Sequence, residues 1–456
     1  MTAPARAAAF HALVAIAADR ADLPAALAAS RGPLADERDR ALTSTIVTGT
    51  LRWQRTLDHL VEHFAKRPLT KIDPQVLAIL RLSLFQLLHL DRVPAAAVVD
   101  DAVTLTRAAR KSSASGFVNA VLRSMLRQRH RLPLPSRPAE SARRAEPTDR
   151  AAALAYLGIT CSHPQWLVER WLGRYTFEQV EAWVQFNNDP APLTLRANTL
   201  RIPRDQLQTL LSRHDIETTP TRYAPDGLVV TAGNPLRTSE DDSFFVQDEA
   251  SQLVPLTVDA RPGERVLDLC ASPGGKTAAM AASMRDEGTL VACDVRAGRV
   301  SLLGDTIRRS GAHLARIVQV PATGPLPFPP VFDRVLVDAP CSGLGTIRRD
   351  PDIRWRRSAN DLPRFATQQI DLLLRAGQTL RPGGRLVYAT CSSEPEENEG
   401  VVEAFLTRAP FDRVDLRNES PAPLHPLLDD RGALRTLPFA HGLEAFFATA
   451  MVHRGR

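Results

Sequence analysis

Lysine is nearly missing from this chain of 456 residues. Only Lys66, Lys71, Lys111 and Lys276 are lysines among 57 basic residues, and the rest are arginines. Such an arginine excess, beside so much alanine, reflects genome composition before function. The net charge of +6 therefore permits a polyanionic partner without establishing one. Long apolar runs are also absent. No stretch approaches about 18 residues, so no helical membrane span is expected. The opening MTAPARAAAFHALVAIAADR lacks the compact core and cleavage site of a signal peptide and reads as a helix. Cysteine is scarce. Cys161, Cys270, Cys293, Cys341 and Cys391 form no CxxC pair and are odd in number. A reduced, cytoplasmic compartment fits, and no metal site is expected.

Two ligand motifs are missing as well. The dinucleotide fingerprint GxGxxG does not occur, and the phosphate-loop pattern fails because Cys270 stands where a glycine is needed.

What is present is organised around Phe332 to Trp355, FDRVLVDAPCSGLGTIRRDPDIRW. It opens as a buried strand, Arg334 to Asp338, rich in β-branched residues. Pro340 forbids its continuation. A small-residue loop with Cys341, Gly343 and Gly345 follows. A second strand, Arg385 to Cys391, ends on another thiol. In open α/β sheets, ligands bind just past the carboxyl ends of strands. Two thiols and a carboxylate there suggest covalent chemistry on an electron-poor ring.

Residues 1–131 read as helical. Asp73-Pro74 is a capped helix start, and QVLAILRLSLFQLLHL after it is apolar nearly all round, as befits the central helix of a bundle. Flanking helices are expected over Asp36 to Phe64, Pro94 to Ala109 and Ala114 to His130. Residues 132–150 are Pro/Ser/Arg-rich and read as a linker. From Thr104 to Arg150, eleven basic residues face three acidic ones. That excess exceeds the whole chain's and suits either a solvated linker or an RNA-facing surface. Residues 151–245 read as helices followed by a small α+β piece. There Trp166, Trp171 and Trp183 are expected in the core. From residue 246 onward strands and helices alternate, with strands at Arg265 to Cys270, Thr289 to Asp294, Arg316 to Val320, Arg334 to Ala339 and Arg385 to Cys391. A last strand, Phe446 to His453, is expected to pair antiparallel. The fold class is α/β, a doubly wound Rossmann-like sheet behind an all-helical domain.

After the first of these strands comes Asp268-Leu-Cys-Ala-Ser-Pro-Gly-Gly-Lys276-Thr277, a glycine turn into a helix. Such a turn lets a ligand approach backbone amides. Asp294 ends the next strand about twenty positions on, where an acid suits ribose hydroxyls. A nucleoside cofactor with little phosphate character fits, and S-adenosylmethionine is the obvious one. Cys270, Ala271, Ser272, Pro273, Gly274, Gly275, Lys276, Asp294, Arg299, Asp338 and Pro340 are its candidate contacts.

The three motifs DLCASPGGK, DAPCSGLGT and ATCSSEPEEN resemble those of the RNA cytosine-5 methyltransferases of the Nop2/Sun family. GTLRWQRTLDHL, ILRLSLFQLLHLDRVP and SGFVNAVLRSML resemble a NusB-like RNA-binding domain. The resemblance implies a methyltransferase with Cys391 as nucleophile, Cys341 as the cysteine that helps release product, Asp338 beside the cytosine and Lys276 at the active site. It also implies that Arg196 and Asn198 belong to an RNA-binding signature. Arg348, Arg349 and Arg354, after the catalytic loop, suit phosphate contacts. The domain order implies 16S ribosomal RNA as partner, with transfer RNA or another RNA as the alternative; a monomer is expected. A non-catalytic assembly factor is the rival from another class. The chain departs from the family once: after the third strand, Gln319-Val-Pro-Ala-Thr-Gly has no carboxylate near the adenine.

Overall fold

The computed structural model describes residues 3–139, 147–238, 242–419 and 422–455. They form two compact units. One is Met1–Asp189 with Ile347–Arg357; the other is Pro190–Thr346 with Ser358–Arg456. A short segment after the Cys341 loop, Ile347–Arg357, belongs to the first unit.

The first unit is helical. Asp73 caps the helix Pro74–His89 by accepting from the amides of Gln75 and Val76. Each such cap stabilises a helix by about 1 kcal/mol. Ile79, Leu80, Leu82 and Leu84 are fully buried on it. It packs against helices Pro4–Ala17, Glu37–Arg52, Gln54–Ala65, Ala95–Ala108 and Ser115–Arg127, as an apolar-all-round helix must. The helix expected over Asp36 to Phe64 is two helices. The chain leaves helical geometry at Trp53 (φ −99°, ψ 13°), whose ring stacks on His89 at 4.7 Å. Trp171 and Trp183 are buried and stacked on each other at 4.5 Å, in the core as expected.

Of the stretch read as a linker, residues 132–139 are irregular but anchored, and the helix Pro147–Ala155 begins within its last residues. His59 Nε2 donates to the Pro133 carbonyl at 2.8 Å, the Thr160 hydroxyl donates to Pro135 at 2.7 Å, and Arg137 grips both oxygens of Glu181. Residues 140–146, with Arg143 and Arg144 of the basic excess, lie outside the described residues.

Ile347–Arg357 is bound into this unit by directional contacts. The Leu23 amide donates to the Asp352 carboxylate at 3.1 Å, Arg52 donates to the Arg348 carbonyl at 3.0 Å, and the Trp355 indole donates to the Leu51 carbonyl at 2.6 Å.

The second unit holds two sheets. β1 (Thr194–Ala197), β2 (Glu217–Pro220), β3 (Gly227–Ala232) and β4 (Phe244–Val246) form a small antiparallel sheet in the order β2-β3-β1-β4. Helix Arg204–Ser212 packs against it. The larger sheet contains β5 (Arg265–Asp268), β6 (Thr289–Asp294), β7 (Ala315–Gln319), β8 (Phe332–Asp338), β9 (Leu380–Thr390), β10 (Phe411–Val414), β11 (Leu434–Arg435) and β12 (Phe447–His453). Its order is β10-β12-β9-β8-β5-β6-β7, with β11 beside β12. Strands β5 to β9 pair in parallel. β12 pairs antiparallel with both β9 and β10, as expected for the last strand.

Both faces of this sheet are covered. Leu336 of β8 and Val387 of β9 join a core with Val254, Met280 and Leu303. Their neighbours Val335, Val337, Leu386 and Tyr388 join an opposite core with Leu373, Val402 and Phe405. Each fully buried aliphatic side chain contributes about 1.5–3 kcal/mol. β5 sits between β6 and β8, so the strand order reverses there and opens a crevice at the carboxyl edge. Among the described residues, no helix is long and apolar enough to cross a membrane.

Candidate active site

Four strand ends meet at that crevice. The loop after β5 is tied to its neighbours: the Leu269 amide donates to Leu336, and the Ala271 amide donates to Cys293. Gly274 then adopts φ +109°, a conformation side chains rarely tolerate, and helix Gly275–Ser283 begins at once. Its first amides have no partner within the helix.

Asp268, quoted in the motif but not singled out as a site residue, proves to be part of this wall. It is 1% exposed. Its Oδ2 accepts from the Thr277 hydroxyl at 2.7 Å, while its Oδ1 is buried with no hydrogen-bond partner. Burial raises its pKa to about 7. An orphaned buried carboxylate oxygen calls for a cationic or N–H ligand group. The buried Ser272 hydroxyl is orphaned too. Asp294, at the end of β6, accepts from the Arg296 amide at 3.1 Å and forms an ion pair with Arg299, whose Nε lies 3.1 Å away. Arg299 also donates to the Ser272 carbonyl at 2.7 Å, so it links the two loops expected to hold the nucleoside. At the end of β7, Gln319 donates to the Val295 carbonyl, and just past it Arg375 holds the carbonyls of Pro321 and Ala322 where the family acid is missing.

The reactive groups converge from three elements. Lys276, in the first turn of its helix, donates to Asp338 Oδ2 at 2.6 Å, at the end of β8. Burial opposes the lysine charge, but Asp338, with Cys391 also near, holds its pKa above the ordinary value. Cys341 Sγ lies 3.3 Å from Cys391 Sγ. The hydrogen bond with Cys391, and then burial, push the Cys341 thiol well above its ordinary pKa. The loop needs glycine at 345, because a Cβ there would sit 1.9 Å from the Ala445 carbonyl. Cys161, Cys270 and Cys293 have thiols raised by burial, Cys161 and Cys293 to about 12. Among the described residues, no group of three or more His, Cys, Asp or Glu is arranged to hold a metal ion.

The residues expected to contact RNA are placed differently. Arg196 is 4% exposed and donates to the Gly275 carbonyl at 2.9 Å. Asn198 is buried and donates to the carbonyls of Asp242 and Ser310. Arg354 is fully buried, donating to the carbonyls of Ser162 and Asn187 and to Asn188 Oδ1. Burial lowers its pKa well below the usual arginine value. None of the three side chains is open to a phosphate. A guanidinium or amide can satisfy several carbonyls at once, and here each braces loops. Arg348 is half-buried over the Phe186 ring at 4.2 Å and donates to the Asp189 carbonyl. Arg349 is half-buried.

A doubly wound sheet of this order, with an antiparallel strand beside β9 and a nucleoside-type crevice, defines the methyltransferase class. Known proteins narrow the class. The family model of the 16S rRNA methyltransferase RsmB/F matches residues 255–452. The NusB family model matches residues 3–127, and a Methyltr_RsmF/B-like, ferredoxin-like domain matches residues 163–237. The probable ribosomal RNA small subunit methyltransferase B of Bacillus subtilis is 33% identical, covering 92% of each chain. The ribosomal RNA small subunit methyltransferase B of Pseudomonas putida is 36% identical over 91% of this chain and 92% of its own. The crystal structure of PH0851 shares the fold, with a TM-score of 0.79, 24% identity and 99% of both chains covered. The chain belongs to the ribosomal RNA small subunit methyltransferase B family, whose members are S-adenosylmethionine-dependent enzymes.

Proposed function

We propose that this protein methylates C5 of an unpaired cytosine in 16S ribosomal RNA through a covalent adduct with Cys391. The observation that carries the reading is the 3.3 Å approach of Cys341 and Cys391 beside the Lys276–Asp338 pair. Cytosine C5 is a weak nucleophile. Addition of a thiolate to C6 makes C5 enamine-like, and cysteine is the side chain most nucleophilic near neutral pH. S-adenosylmethionine supplies an electrophilic methyl group when bound. The Asp268 Oδ1 fits its ammonium, Asp294 its ribose, and the amides at Gly274 and Gly275 its carboxylate.

Lys276 keeps Asp338 aligned, and Asp338 accepts a hydrogen bond from the cytosine amino group. After transfer, C5 carries both the new methyl and its proton. Cys341 assists removal of that proton, the C5–C6 double bond re-forms, and the C6–sulfur bond of Cys391 breaks. The target must be unstacked to reach the crevice. The protein is read as a cytoplasmic monomer, and the basic helix Ser115–Arg127 and its flanks as part of the RNA-facing surface.

Trapping tests the reading. Cys391→Ala should lose methylation and form no protein–RNA band under denaturing conditions. Cys341→Ala should form that band, stalled after methyl transfer. Full activity in both variants sinks the covalent mechanism. Bisulfite sequencing of ribosomal RNA from a deletion strain checks the substrate; an unmethylated site in transfer RNA instead would move the activity there.

A further inference from the structure

The two cysteines arrive on separate loops, yet their sulfurs stand in contact. One backbone bond crosses between them, from the Gly345 amide to the Cys391 carbonyl at 2.9 Å, and it holds the Cys391 loop four residues away from Cys341. The residue after each cysteine is a serine, and both serines point at one buried carboxylate. Glu397 is fully buried. Its Oε2 accepts from the Ser342 hydroxyl at 2.5 Å and from the Ser392 hydroxyl at 2.6 Å. Its Oε1 accepts from the Ser342 amide at 2.7 Å and from Gln369 Nε2 at 3.1 Å. The carboxylate is thus shared by the loop carrying Cys341 and the loop carrying Cys391.

Glu397 is itself immobilised. The Tyr388 hydroxyl donates to its carbonyl at 2.5 Å, and its neighbour Asn398 spans from the Thr390 hydroxyl to the Ser392 carbonyl. Gln369 donates both to Glu397 and to the Pro340 carbonyl. Burying a carboxylate is costly unless several donors meet it, and four do here. A merely structural carboxylate has no need to bridge these two loops one residue past each thiol.

We propose that Glu397 is a positioning residue that sets the separation of Cys341 and Cys391 by clamping Ser342 and Ser392. The catalytic use of the pair rests on the proposed function; the clamp does not. Glutamine can replace it with little change of pattern. Its carbonyl oxygen still accepts from the Ser342 amide and Gln369, while its two N–H groups donate to the two serine oxygens, because a hydroxyl accepts as well as it donates. Alanine breaks both arms.

The test uses the full-length protein without RNA. Diamide, an azo oxidant, takes two electrons and two protons from a thiol pair, giving a disulfide and a hydrazine. The rate of Cys341–Cys391 linkage is read by peptide mass mapping. Wild type and Glu397→Gln should link at similar rates, and Glu397→Ala at least about tenfold more slowly, since an ångström of misplacement costs up to about 100-fold. Should Glu397→Ala fold poorly, Ser392→Ala removes one arm alone and should also slow linkage. Wild-type rates in the folded Ala variants, with only a lower melting temperature, would overturn the clamp and leave Glu397 a core residue. With RNA, Glu397→Ala should lower kcat more than it raises KM and accumulate the protein–RNA band, and Glu397→Gln should recover turnover. If the linkage rates follow the clamp but no variant ever forms the band, the clamp stands and the covalent reading of the site falls.

Discussion

Lys276 is a half-buried cation and Arg354 a fully buried one, and the second follows the Cys341 loop by only a few residues. Their partners differ. Lys276 is held by a carboxylate and faces a thiol, and its charge is reinforced. Arg354 is held by neutral oxygens in the helical unit, and its charge is penalised by burial. One cation is placed to act on a neighbour; the other ties loops together. Sequence position beside a catalytic motif does not separate the two roles, whereas the partner atoms do.

That contrast can be broken by substitution. Lys276→Met should lower kcat/KM by about 100- to 1000-fold with little loss of stability, as when one aligned donor is removed from an active site. A variant within threefold of wild type would remove Lys276 from the machinery. Arg354→Met should do the reverse. It strands buried carbonyls and should destabilise the helical unit by about 3 kcal/mol, read by denaturant unfolding, while the folded fraction keeps its kcat. A variant of wild-type stability that binds RNA poorly would restore Arg354 to the RNA surface.

Asp294→Ala sharpens the cofactor side. Loss of a charged hydrogen bond to the ribose should weaken S-adenosylmethionine by about 1–3 kcal/mol in calorimetry. Unchanged affinity would mean that Asp294 only anchors Arg299. The smallest effect concerns Asp268. Its folded pKa of about 7 lies above the unfolded value, so the free protein is favoured at low pH and loses that contribution as pH rises through about 7. Asp268→Asn should flatten the pH dependence of stability across that window. Cofactor binding near pH 6.5 should release a proton from wild type and not from Asp268→Asn, measured in buffers of different ionisation enthalpy. Equal proton release from both would assign the titration elsewhere.

Much of the fold was legible because its signals are local. The buried run after Asp73 reads as a central helix, and the β-branched runs at β5, β6, β8 and β9 read as strands wherever a glycine or proline ends them. The short strands β2, β4, β10 and β11 were not legible; β4 and β11, of three and two residues, are too short to carry a period. The site was legible as motif letters at strand ends. Its geometry was not, because the Glu397 clamp depends on four donors brought together from distant parts of the chain. For the same reason the carbonyl partners that enclose Arg196, Asn198 and Arg354 were not legible. A basic or polar residue in a motif looks solvated until its tertiary partners are known.

The helical unit includes Ile347–Arg357, and this sets an order of synthesis. Residues up to Asp189 leave the ribosome well before Arg354 is made, about 10–30 s earlier at ordinary elongation rates. During that interval the carbonyls of Ser162 and Asn187 lack the guanidinium that later fills their site. The amino-terminal unit therefore cannot finish folding first and wait. It is completed by a piece of the catalytic half, so the two halves cannot be exchanged as independent modules by a single cut in the gene.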